Sequence, residues 1–134
     1  MSTETRSVTL SKTGDVAYAR QEATRIMTVI GASAIKKTKF VTAVSEIARN
    51  AVVYGHGGVM SFETAGEPAH QSAIAICSDR GPGIADVDTA LRDGYSTGKS
   101  LGLGLGGAKR LVDRFDITSS RDSGTTITLE CRAR

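Results

Sequence analysis

The chain has no tryptophan, and aromatic side chains make up only 4% of its 134 residues. Its core therefore has to be packed from Ile, Val, Leu and Ala. Proline occurs 2 times and no low-complexity tract is present. With 40% hydrophobic and 23% charged residues, disorder as the main state is excluded. There are 2 cysteines, Cys77 and Cys131, and 2 histidines, His56 and His70. None of these falls at metal-ligand spacing, so a zinc site is not expected. The thiols read as reduced and buried, in a cytoplasmic protein. No apolar run reaches membrane-spanning length, and MSTETRSVTLSK lacks the apolar core of a signal peptide. A net charge of +3 is too mild for a nucleic-acid binder. Lys36, Lys37 and Lys39 form only a short basic patch without interleaved aromatics. The length suits one domain over residues 1–134, since two cores would each be marginal.

Apolar periodicity orders the elements. Val8 and Leu10 alternate with polar neighbours and predict a first short strand. Val16, Ala19, Ala23, Ile26, Met27 and Ile30 recur at helical spacing from Asp15, and Gly31 closes that helix. Ser33 is placed to cap a second helix, with a stripe of Phe40, Val44, Ile47, Ala48, Ala51 and Val52. It runs out at Gly55, and His56 to Gly58 make a turn. Val59–Thr64 and Ala73–Cys77 predict two strands of a hairpin. The following Ser78–Ile84 is expected to be irregular, with a short helix near Val87–Leu91. Residues 93–107 read as a mobile glycine-rich loop, and Ala108–Val112 as a helix. Phe115–Ser119 and Thr125–Cys131 close the chain as a hairpin around Asp122-Ser123-Gly124. This order predicts an α/β two-layer sandwich, its mixed, mostly antiparallel sheet covered on one face by helices.

What is abundant is glycine, 15 residues of it, densest from Gly94 to Gly107. Two common phosphate-binding patterns fail there. Gly94-Tyr95-Ser96-Thr97-Gly98-Lys99-Ser100 ends like a Walker A loop but is one residue short, and no buried strand leads into it. Gly102, Gly104 and Gly107 satisfy a dinucleotide fingerprint formally, again without a preceding strand. A third pattern uses the whole chain. Glu46 and Asn50 are four apart on the second helix and share a face. Asp79-x-Gly81-x-Gly83 follows a strand, Gly102 to Gly107 opens a helix, and Gly124-Thr125-Thr126 begins the last strand.

On these motifs the chain resembles the GHKL ATPase/kinase superfamily, from about Val8 to Cys131. The N box is Glu46-Ile47-Ala48-Arg49-Asn50-Ala51, and the glycine boxes are Asp79 to Ile84 and Gly102 to Gly107. Within that superfamily it is similar to the small stand-alone serine kinases of bacterial sigma-factor partner switching. The resemblance implies a Bergerat-type ATP-binding fold. It also implies ATP and Mg²⁺ as ligands and a role for each matching residue.

Asp79 is then the adenine reader, because an ionised carboxylate only accepts and suits the exocyclic amine of adenine. Gly81 and Gly83 let the backbone approach the base, Ile84 belongs to the same cofactor-binding box, and Thr126 supplements the contact. Asn50 is the Mg²⁺ ligand, and Glu46 is the catalytic general base. Gly102, Leu103, Gly104, Leu105, Gly106 and Gly107 present backbone amides to the triphosphate at a helix start. Lys99 and Ser100 lie beside its terminal phosphate. Taken singly, the glycines are turns and Glu46 and Asn50 a solvated face; in this order they make one site. Arg49 is left to phosphate or partner contact, and His56 to a structural turn.

By the same resemblance, the leading expectation is a protein serine/threonine kinase acting on STAS-domain proteins. After phosphorylation it would engage a PP2C-type phosphatase regulatory domain. The alternative is an anti-sigma factor that sequesters a sigma factor and phosphorylates its STAS antagonist. An inactive scaffold is disfavoured by the presence of Glu46, Asn50 and Asp79. A homodimer stays open as the assembly.

Overall fold

The structure is a computed structural model that describes residues 5–81, 105–120 and 124–134. The elements run β1 (Arg6–Leu10), α1 (Asp15–Val29), α2 (Ala34–Val53), β2 (Gly58–Ala65), β3 (Ser72–Asp79), α3 (Leu105–Leu111), β4 (Arg114–Ser120) and β5 (Gly124–Arg132). The strands form one sheet in the order β1-β2-β3-β5-β4. All four pairings are antiparallel, so the expected mixed sheet is wholly antiparallel among the described strands.

Strand alternation sorts the sheet into two faces. Leu10, Met60, Phe62, Ala73, Ala75, Cys77, Ile127, Leu129 and Cys131 are buried on the face the helices cover. Val59, Ser61, Ser78, Thr126 and Thr128 have the opposite parity. The helices meet the buried face with Ala19, Ala23, Ile26 and Met27 from α1 and Phe40, Ala43, Val44, Ile47, Ala48 and Ala51 from α2. Phe40 and Phe62 are the largest fully buried side chains, each anchoring one layer. Truncating either to alanine would cost about 3–5 kcal/mol.

Local chemistry fixes the helix ends. Asp15 Oδ2 accepts from the Ser11 amide (2.9 Å), the Ser11 hydroxyl (3.0 Å) and the Lys12 amide (3.1 Å), which closes the turn between β1 and α1. These amides hold the Asp15 carboxyl below its ordinary range. Ile30 ends α1, and Gly31 leaves it at a φ of 72°. Ser33 caps α2 as expected, its hydroxyl accepting from the Lys36 amide at 3.3 Å.

Two expectations need correction. Ser78 and Asp79 are strand residues, because Ser78 pairs with both Val59 and Thr126 and Asp79 with Gly58. Leu105, Gly106 and Gly107 are the first turn of α3, whereas the glycine content predicted a loop up to Ala108. Leu105 and Ala108 are buried three residues apart on one face. That packing against α2 outweighs the poor helix propensity of the two glycines. The predicted helix near Val87–Leu91 and the loop over residues 93–104 lie outside the described residues.

Candidate active site

Asp79 ends β3 on the helix-covered side, since it has the same parity as Ala75 and Cys77. Among the described residues its carboxylate is held by backbone amides and not by a counter-charge. Oδ1 accepts from the Gly81 amide at 2.9 Å and from the Thr125 amide at 3.2 Å. Two such bonds fix the rotamer of a half-buried acid.

The C-terminal end of α2 closes on the same spot. Tyr54 caps the helix, and the Gly55 amide donates to the Asn50 and Ala51 carbonyls, each at 3.1 Å. The Arg80 amide donates to the Gly55 carbonyl (3.2 Å) and the Gly57 carbonyl (3.3 Å). The backbone therefore runs from Asn50 through Gly55 to the segment after Asp79 in consecutive hydrogen bonds. His56 sits at the crest of this turn, exposed, with a φ of 58°. It makes a structural corner of the kind expected.

Glu46 and Asn50 are both half-buried, one turn apart on α2. They occupy one flank of its buried stripe. Val41 and Val52 occupy the other, and Val41 shares a groove with Ala17, Arg20, Gln21 and Thr24 of α1. The Glu46–Asn50 flank is thus turned away from α1. Arg49 falls on the exposed side of α2.

The start of α3 brings Leu105, Gly106 and Gly107 to α2. Leu105 and Gly106 are buried, while a methyl on Gly107 would meet nothing within 4 Å. Gly81 is buried against α2, where a methyl would come within 2.6 Å of the Gly55 Cα. Gly83, Ile84, Lys99, Ser100, Gly102, Leu103 and Gly104 lie outside the described residues.

Thr126 is not brought to this group. It pairs with Ser78, and their hydroxyls are 3.2 Å apart on the uncovered face of the sheet, opposite to Asp79. Its buried neighbour Thr125 is the residue at Asp79, and the Thr125 hydroxyl is 2.8 Å from that of Ser119. The signal was available: counting by twos from the inward Ile127 places residue 125, not 126, on the helix side. Gly55 was likewise read only as a helix stop, although any side chain there would collide with the Asp79 carboxylate.

A profile of the histidine kinase-like ATPase domain matches residues 9–131, nearly the whole length. The chain belongs to that family. The family implies ATP as the nucleotide, and the Asp79 corner, the Glu46–Asn50 flank and the start of α3 lie within the matched span. The serine/threonine-protein kinase RsbT of Bacillus subtilis (strain 168) is 35% identical over 113 residues, covering 84% of this chain and 85% of that protein. The anti-sigma F factor of Clostridium novyi (strain NT) is 26% identical over 128 residues, covering 90% and 88% respectively. Similarity to RsbT thus extends beyond the nucleotide motifs to most of the fold.

A cavity of about 620 Å³ at the far end of β3 involves none of these residues; Ile30, His70, Ser72 and Arg132 are among its walls. Among the described residues no three His, Cys, Asp or Glu side chains gather into a metal cluster. Nor, among them, is any helix long and apolar enough to cross a membrane.

Proposed function

We propose that this protein is an ATP-dependent protein serine/threonine kinase of a bacterial partner-switching module. Its substrates would be STAS-domain proteins, and its later partner the regulatory domain of a PP2C-type phosphatase. The observation that carries the reading is the Asp79 carboxylate, pinned by two backbone amides beside the end of the helix that bears Glu46 and Asn50. Similarity to RsbT supports a protein as the phosphoryl acceptor.

In this reading Asp79 accepts the exocyclic amine of adenine with the lone pairs left over from Gly81 and Thr125. Gly106 and Gly107, at the start of α3, leave backbone amides near the phosphates. Glu46 accepts the proton of the attacking serine or threonine hydroxyl as the oxygen bonds to the terminal phosphorus. Phosphoryl passes to that oxygen, and ADP leaves.

The donor set fits Mg²⁺ in one respect: an amide oxygen on Asn50 is a hard ligand of the preferred kind. With no acidic cluster among the described residues, the ion would come with the triphosphate and not be held by protein alone. When bound, it would offset phosphate charge.

The test is transfer of radiolabel from γ-labelled ATP with Mg²⁺ to purified STAS-domain proteins of the same organism. Labelled phosphoserine or phosphothreonine on a STAS protein is the expected result. Hydrolysis of ATP with no labelled acceptor would overturn the kinase reading.

A second reading, a sigma-factor-sequestering anti-sigma factor, is favoured by similarity to the anti-sigma F factor. Co-purification with a sigma factor in ADP or ATP, and its loss on adding the STAS protein, would select it over the first.

A further inference from the structure

Asp79 is boxed by glycines that belong to neither glycine motif. Gly124 approaches its carbonyl at a φ of 76°, which by itself favours glycine. Gly58 crosses the Ser78 carbonyl as the paired strand begins. Gly55 differs from both: its φ is not in the left-handed region, unlike that of Gly124, and the atoms nearest to an added methyl are side-chain atoms, unlike those at Gly58. The obstacle is the acid itself. A methyl on Gly55 would stand 2.6 Å from Asp79 Cγ and Oδ2 and 2.7 Å from its Cβ. Ordinary carbon contacts are about 3.5–4.0 Å, so the two groups cannot coexist as placed.

We propose that Gly55 is a positioning residue for purine recognition. By lacking a side chain it lets the Asp79 carboxylate lie flat against the end of α2, in the orientation that the Gly81 and Thr125 amides hold. The proposal rests on the reading of Asp79 as the adenine acceptor. The three atoms nearest to a methyl on Gly55 all belong to the Asp79 side chain. One of the three clashing atoms is the Asp79 Cβ, which strand pairing with Gly58 holds, so relief requires the carboxylate to rotate off its two amides and the strand end that carries it to draw back. The cost then falls on the groups that meet adenine, and not on those that meet phosphate. Gly55 also joins the two halves of the site, because its amide bonds the Asn50 carbonyl and its own carbonyl receives Arg80.

The experiment compares binding of Mg²⁺-ATP and Mg²⁺-inosine triphosphate, which has a carbonyl in place of the exocyclic amine. Wild type, Gly55→Ala, Gly55→Val, Asp79→Asn and Gly14→Ala are measured, the last because a methyl there meets nothing within 4 Å. Wild type and Gly14→Ala should favour ATP by roughly tenfold or more, as a site built to accept a hydrogen bond rejects a ligand that lacks the donor. Gly55→Ala should narrow that ratio and Gly55→Val abolish it, through lost ATP affinity, with inosine triphosphate affinity held within about twofold. Adding Gly55→Val to Asp79→Asn should change the ratio no further. If Asp79→Asn collapses the preference and both Gly55 variants keep it, the positioning role is wrong. A Gly55→Val protein that weakens both nucleotides equally, or unfolds while Gly55→Ala keeps the full preference, also overturns it. If wild type and Asp79→Asn discriminate alike, the failure lies in the adenine assignment instead.

Discussion

The Thr125 amide donates to Asp79 Oδ1 across the β3–β5 boundary at 3.2 Å, one pair beyond the last register contact of the two strands, Ser78 with Thr126. The sheet thus ends in a carboxylate held by the neighbouring strand's backbone. The pairing of the two strands continues past their last register contact, and the acid at the strand end keeps one orientation.

Replacing Asp79 by asparagine keeps an oxygen for both amides but places an amine donor where the acceptor stood. The apo protein should melt within a few degrees of wild type. The melting shift that ATP with Mg²⁺ gives wild type by mass action should be lost. A hydrogen bond to a charged group contributes about 1.5–3 kcal/mol, so ATP affinity should fall roughly ten- to a hundredfold. Equal shifts in the two proteins by scanning fluorimetry would refute the assignment.

Glu46→Gln preserves shape on the half-buried flank of α2 and removes only the ionisable carboxyl that the proposed mechanism uses as base. ATP should bind with affinity within about threefold of wild type, while transfer to a STAS-domain acceptor falls by roughly 10²–10⁴. Single-turnover measurement with bound labelled ATP separates the two effects. Normal transfer by this variant would remove Glu46 from the chemistry.

Much of this arrangement was legible in the sequence because it obeys simple periods. The stripe from Phe40 to Val52 was read from spacing and is buried or nearly so, and the Ala73–Cys77 run was read as a strand, in which Ala73, Ala75 and Cys77 face inward. Ser33 announced its cap by residue type. The Asp79 corner was harder. Its neighbours Gly55 and Thr125 come from distant segments, and nothing local in the sequence says that a helix stop and a strand start meet at one carboxylate. The first turn of α3 was missed for a related reason. Glycine propensity is a local quantity, whereas Leu105 is helical because of what it packs against.

Lys36 and Asp113 join the start of α2 to the loop before β4, with Nζ at 3.0 and 2.8 Å from the two carboxylate oxygens. The Arg132 amide adds a third bond at 2.7 Å. Burial pushes the Asp113 carboxyl up, but the Lys36 and Arg132 bonds outweigh it and hold the group below its ordinary range. A depressed folded value stabilises the native state above the unfolded pKa of about 3.9, and that stability is lost as pH falls through the folded value. Asp113→Asn should therefore lower stability by about 1 kcal/mol at pH 7, with the gap to wild type closing below about pH 4. Urea denaturation at a series of pH values reads this directly. A gap that is constant with pH would mean that packing, and not charge, is what the substitution disturbs.

Cys77 and Cys131 lie on the covered face of neighbouring strands, both buried. Burial, with the nearby Asp79 charge adding to it, pushes the Cys77 thiol up to about 12. Burial likewise raises Cys131 to about 11. A thiol is nucleophilic only as thiolate, so both should be inert in the native protein at pH 8. Their modification by a disulfide reagent should wait on opening of the sheet. It should be slow in buffer and complete in denaturant, with two thiols then released to reaction. Because Cys77 is two residues from Asp79 on the same strand face, saturating ATP should slow its modification further if nucleotide binding stabilises that end of β3. Fast labelling of Cys77 in native buffer, unchanged by ATP, would show that the strand end opens freely and that the carboxylate is not held as described.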